Sequence, residues 1–69
     1  MREQLETLVA QMIERGLLYD DAHSAFEKAF YARALAQAEG NIVKAAALIG
    51  VHRNTLSRKA AQYRLRVRG

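Results

Sequence analysis

The sequence predicts an all-α fold of four helices. Two observations carry that prediction. Apolar residues recur at i, i+3, i+4 and i+7 through nearly the whole chain. Three of the four glycines, Gly16, Gly40 and Gly50, fall where the periodic segments stop, and no proline interrupts any of them. At 69 residues the chain is expected to be one domain, residues 1–69, near the size at which a lone hydrophobic core is marginal.

The first helix, α1, is expected over residues 2–15. Leu5, Leu8, Val9, Met12 and Ile13 form its apolar stripe, and Gly16 suits the turn that ends it. A second helix, α2, follows Leu17, Leu18 and Tyr19 and closes at Gly40. Its start is open: Asp20 or Asp21 can cap it, and Ser24 with Glu27 three residues later spells a capping box. Its stripe runs Ala22, Ala25, Phe26, Ala29, Phe30, Leu35 and Ala38. Asn41 is a good N-cap for a third helix, α3, which is apolar almost all round from Ile42 to Ile49 and so is expected to be buried on most sides. The last helix, α4, begins at His52 or Arg53 and runs to about Tyr63.

The joint between α3 and α4 is the informative one. Ala45 and Ala46 are small enough for α4 to cross α3 closely. Gly50 permits the left-handed backbone of a tight turn, and Val51 covers that turn. Leu56, Ala60 and Tyr63 then pin α4 to the core at i, i+4 and i+7. This is the arrangement of a helix-turn-helix.

Charge is divided along the chain. Residues 1–40 hold seven acids and four bases, net −3; residues 41–69 hold seven bases and no acid. A segment of that kind repels itself unless a polyanion is near, and nucleic acid is the obvious one. Residues 64–69, with Arg64, Arg66 and Arg68, read as a solvated basic tail. The outer side of α4 is centred on Asn54, Arg58 and Ala61, flanked by Thr55, Ser57 and Gln62, with Arg53 at its N-terminal end. A small, polar, basic helix face fits the major groove. There Arg58 suits guanine or a phosphate, Asn54 suits adenine, and Thr55 and Ser57 are short enough to bond phosphates. Lys44, on the first turn of α3, and His52, at the head of α4, complete the candidate DNA-binding set. His52 reads either as an imperfect cap or as a phosphate contact.

Other chemistry finds little footing. There is no cysteine, and the two histidines, His23 and His52, are far apart, so no metal site is expected. No nucleophile with a base, no carboxylate pair and no glycine-rich phosphate loop is present, so no enzyme, cofactor or small-molecule substrate is expected. No apolar run is long enough to span a membrane and no signal peptide is evident, which makes the cytoplasm the default location. Glu27, Asp20 and Asp21 read as helix-end charges. Phe26, Phe30, Tyr31 and Tyr63 read as core or interface residues.

At this point the sequence resembles a known family. The stretch from Phe26 to Leu65, FEKAFYARALAQAEGNIVKAAALIGVHRNTLSRKAAQYRL, is similar to the Fis-type DNA-binding domain, which also ends the NtrC-class activators. The match rests on Gly40-Asn41, Ala45-Ala46, Ile49-Gly50-Val51, Arg53-Asn54-Thr55-Leu56 and Lys59. The resemblance implies a dimer, with α1 and α2 of two subunits interlocked over residues 1–40 and the helix-turn-helix of residues 41–63 projecting from that core. It implies bent, A/T-rich, degenerate DNA sites, a place on the bacterial nucleoid, and DNA contacts at Asn41, Arg53, Thr55, Ser57, Arg58 and Lys59. Four departures stand out. The N-terminal hairpin arm of the founding protein is missing, so recombinase activation does not carry over. No proline kinks α2, and Ser57 and His52 replace a basic residue and an Asn or Ser.

Physical reasoning also favours a homodimer. The α1 stripe is costly to leave in water for so small a protein, which makes Leu5, Leu8, Val9, Met12, Ile13, Phe26 and Phe30 the expected dimer interface. The leading expectation is therefore a dimeric regulator of double-stranded DNA, either a free-standing protein or the C-terminal domain of a larger activator. The alternative is an interaction module, whose basic tail binds an acidic partner or a membrane surface.

Overall fold

The computed structural model describes residues 1–68. It contains α1 (Arg2–Glu14), α2 (Tyr19–Gln37), α3 (Ile42–Ile49) and α4 (Arg53–Tyr63), with no strand among the described residues. Each helix ends on a left-handed residue that lets a backbone N–H reach back to a carbonyl five residues earlier. Leu17 N–H bonds Met12 C=O after Gly16, Gly40 N–H bonds Leu35 C=O after Glu39, Val51 N–H bonds Ala46 C=O after Gly50, and Leu65 N–H bonds Ala60 C=O after Arg64. Gly16 and Gly50 supply that conformation freely, whereas Glu39 and Arg64 adopt it against their Cβ.

Helices α2, α3 and α4 pack pairwise around a small core of Ala34, Leu35, Ala45, Ala46, Leu56 and Ala60. Four of these six are alanine, so the backbones approach closely around two leucines, Leu35 and the fully buried Leu56. Tyr31, Ala38, Ile42, Ile49, Val51 and Leu65 cover the edges.

Helix α1 stands apart. None of its residues is buried; Leu5, Leu8 and Val9 are about half exposed and Ile13 is 70 % exposed. The radius of gyration, 13.4 Å, exceeds the ~11 Å of a compact chain this long, and the molecule measures 40 × 24 × 17 Å. Where α1 meets the start of α2 lies an apolar groove of about 550 Å³, lined among others by Leu5, Leu8, Val9, Met12, Ile13 and Phe26.

Three sequence expectations are corrected here. Helix α2 starts at Tyr19, earlier than any candidate cap: Leu18 is its N-cap with no side-chain bond, and Asp20 and Asp21 lie in its first turn, where they complement the helix dipole. Ser24 is therefore interior and forms no capping box. Helix α3 is buried on one side only, through Ala45 and Ala46, while Val43 and Leu48 are more than half exposed. The basic tail is docked: Leu65 is half buried, and Arg68 N–H donates to Gly40 C=O at 2.8 Å. Gly69, the last residue of that tail, lies outside the described residues.

Candidate nucleic-acid interface

The base of the interface is the turn between α3 and α4. Asn41 caps α3, its Oδ1 accepting the Lys44 N–H at 3.1 Å, which leaves its amide NH2 to donate elsewhere. Ala45 and Ala46 seat α3 on α4, and Gly50 at φ +76° turns the chain.

His52 then caps α4. Its Nδ1 accepts the Asn54 N–H at 3.0 Å, which puts the ring proton on Nε2, in the exposed part of the residue. An imidazole thus replaces the usual hydroxyl or amide cap. The expected conflict between capping and phosphate contact does not arise, because the two ring nitrogens are free to take different tasks.

On α4 the sides divide as the helical wheel requires. Leu56 and Ala60 are buried; Arg53, Asn54, Ser57, Arg58, Ala61 and Gln62 are exposed; Thr55 is half buried at the margin. No carboxylate stands among the exposed residues. The face carries one cation at its first turn and one a turn and a half further on, around short polar side chains. Such a surface can approach a polyanion closely and present donors to it. Lys44 is exposed on the neighbouring helix, one turn from the α3 cap.

Lys59 lies elsewhere. Its ammonium donates to Glu27 Oε1 at 3.0 Å, and Tyr63 OH donates to the same oxygen at 2.7 Å. Glu27 and Lys59 keep only 17 % and 29 % side-chain exposure. The Tyr63 hydroxyl and then the Lys59 ammonium hold the Glu27 carboxyl below the usual carboxylate range, and Glu27 holds Lys59 above its ordinary value. Glu27 is thus no helix-end charge; it bridges α2 to α4, and the Lys59 cation faces α2 in that bridge. A sequence signal for this existed: Glu27 shares a helical stripe with Tyr31, Ala34, Leu35 and Ala38, so it sits as an acid on the core side of α2.

The other side of α2 is apolar and uncovered. Phe26 and Phe30 touch in a tilted arrangement, ring centroids 5.3 Å apart and planes at 40°, and each is about half exposed. With the α1 stripe they form one continuous apolar surface remote in sequence from α4. Of the candidate DNA-binding residues, Asn41, Lys44, His52, Arg53, Asn54, Thr55, Ser57 and Arg58 cluster along the first turn of α3 and the outer half of α4, and Lys59 does not join them. No helix is long and apolar enough to cross a membrane among the described residues.

Comparison with known proteins fits this geometry. Residues 24–63 match the family described as bacterial regulatory protein, Fis family, which spans α2 from its first turns, α3 and all of α4. No curated protein and no solved structure matches the chain.

Proposed function

The chain belongs to the Fis family of bacterial regulatory proteins, and from that premise we propose that it works as a two-fold dimer whose α4 helices enter the major groove of duplex DNA. The family makes it a DNA-binding helix-turn-helix regulator. The finer reading rests on one observation above all: the exposed side of α4 carries Arg53, Asn54, Ser57 and Arg58 with no acid among them, on a helix fixed to its neighbours by Leu56, Ala60 and the Glu27 bridge. In that reading Arg58 and Asn54 meet base edges, and Arg53, Thr55, Ser57, His52, Asn41 and Lys44 meet phosphates. Lys59 is left out, since its ammonium is already engaged.

Dimerisation is supported by the uncovered α1 stripe with Phe26 and Phe30. Five large side chains about half exposed, with Ile13 exposed further still, are far more than a monomer of this size comfortably leaves in water. A two-fold axis through that surface also gives two recognition helices for two half-sites. The same reading assigns the protein to the bacterial cytoplasm, on the nucleoid.

The test is fluorescence anisotropy with a labelled duplex of about 27 base pairs, long enough for two half-sites, against a random-sequence competitor at several salt concentrations. Affinity should fall with salt by a slope of about 0.9 for every phosphate neutralised. Arg58→Ala should reduce the preference over competitor by roughly 5- to 150-fold, the worth of one good base contact. An absence of binding at ~50 mM salt and micromolar protein would overturn the reading and favour an interaction module built on the α1–α2 surface.

A further inference from the structure

Residues 64–68 have no place in the recognition helix, yet they are held in a definite position. After the left-handed turn at Arg64 the chain runs back along the end of α2. Leu65, Arg66, Val67 and Arg68 line a groove with Ala32, Leu35 and Ala36, and the strap finishes with the Arg68 N–H bonded to Gly40 C=O at 2.8 Å. Gly40 is shaped for this approach: a Cβ there would stand 2.9 Å from the Arg68 nitrogen. Leu65 is half buried, whereas Arg64, Arg66 and Arg68 are exposed, as is Val67, and among the described residues none of the three arginines forms an ion pair, although Glu39 borders the same groove.

We propose that this strap is a second DNA-contacting surface, in which Arg66 and Arg68 grip the phosphate backbone flanking the groove entered by α4. Position carries the argument. The strap starts at the last turn of α4 and ends at Gly40, the residue before the Asn41 cap of α3. In a helix-turn-helix the first helix crosses the DNA backbone. Arg68 is therefore delivered to the end of α3 that also carries Lys44, and the basic surface extends from α4 around to α3. Docking through backbone and apolar contacts leaves both guanidinium groups free and limits the entropy lost when they engage an anion. The partner is the DNA backbone, because the strap joins the last turn of α4 to the N-cap end of α3 and no sequence-reading geometry is asked of its cations.

This inference rests on the DNA-binding reading above, and the experiment separates the two. The salt dependence of duplex binding is measured for the wild-type chain, for Arg66→Gln with Arg68→Gln, and for a charge-matched control, Arg2→Gln with Arg15→Gln on α1. Neither pair touches the Arg68 N–H or Leu65, and unchanged thermal unfolding verifies that the strap stays docked. The strap variant should lower the slope by about 1.8 for each protomer bound, with sequence preference unchanged, while the control keeps the wild-type slope. If the wild type binds and the strap variant keeps its slope, the inference is overturned and the arginines are left for an acidic protein partner. Equal losses in both variants overturn it too, as an effect of net charge alone. Failure of the wild type to bind removes the underlying reading itself.

Discussion

Replacing Gly40 by alanine measures the docking of the C-terminal strap against an internal standard, the same change at Gly50. Both glycines are left-handed, at φ +81° and +76°, so both changes incur the backbone strain of a Cβ in that region, about 1–2 kcal/mol. At Gly50 the new methyl meets nothing within 4 Å, and strain is the whole cost. At Gly40 it would lie 2.9 Å from the Arg68 nitrogen and 3.1 Å from the Arg68 Cβ. That nitrogen cannot retreat without breaking its bond to Gly40 C=O, a net loss of about 0.5–1.5 kcal/mol, and loosening Leu65 and Val67 adds about another 1 kcal/mol. Gly40→Ala should thus cost about 2.5–4.5 kcal/mol and Gly50→Ala about 1–2. Urea unfolding reads the difference directly: at a slope of about 1 kcal/mol per molar, the two midpoints should lie about 1.5–2.5 M apart. In a chain ending at Leu65 the gap should close, since the contact that distinguishes the two sites is gone. Equal midpoints in the full-length chain would refute the reasoning.

Three further outcomes are expected. Leu56→Ala truncates the fully buried leucine of the core and should cost about 2–5 kcal/mol, enough to leave α2–α4 unfolded at 25 °C; a cooperative melt near the wild-type temperature contradicts this. The Glu27 carboxyl is held low and Lys59 high, so the bridge contributes fully between pH values of about 4.5 and 10.5, and is lost as pH falls through the lowered carboxyl value or rises through the raised ammonium value. Glu27→Gln should therefore flatten the decline in stability as pH falls below about 4.5, and parallel wild-type and variant curves would remove the bridge from the account. Leu8→Asp puts a charge into the exposed α1 stripe and should convert a dimer of twice 7.8 kDa into a monomer by light scattering, with no change if α1 is not the interface.

The sequence made the local devices plain and the distant ones opaque. Helix ends were visible because a left-handed turn after Ile49 wants Gly50, and because Asn41 caps the helix that immediately follows it. The sides of α4 were visible because a period of 3.6 separates Leu56 and Ala60 from Asn54 and Arg58. The start of α2 was not, since Ser24 and Glu27 form a good local capping pattern that loses to partners far along the chain: Lys59 and Tyr63 take the Glu27 carboxylate 32 and 36 residues away. Lys59 likewise appeared to be one more cation of the basic half until α2 was packed beside it. The docked tail left only a faint trace, the alternation of Arg64-Leu65-Arg66-Val67-Arg68, because its anchoring bond is made by a backbone N–H and no side chain announces it. His52 posed a different problem: the residue type is an uncommon cap, and only the placement of Nδ1 reveals that it serves as one.

The isolation of α1 has a thermodynamic consequence. An isolated helix of 13 residues is marginal in water, and no residue of this one is buried by α2, α3 or α4. Its helicity is then controlled by whatever covers it, so by mass action the ordering of residues 2–14 follows the concentration of that partner. If the partner is a second copy, the far-ultraviolet dichroism per residue and the melting temperature both climb as the protein is concentrated. Abundance itself then sets how much of the chain is folded.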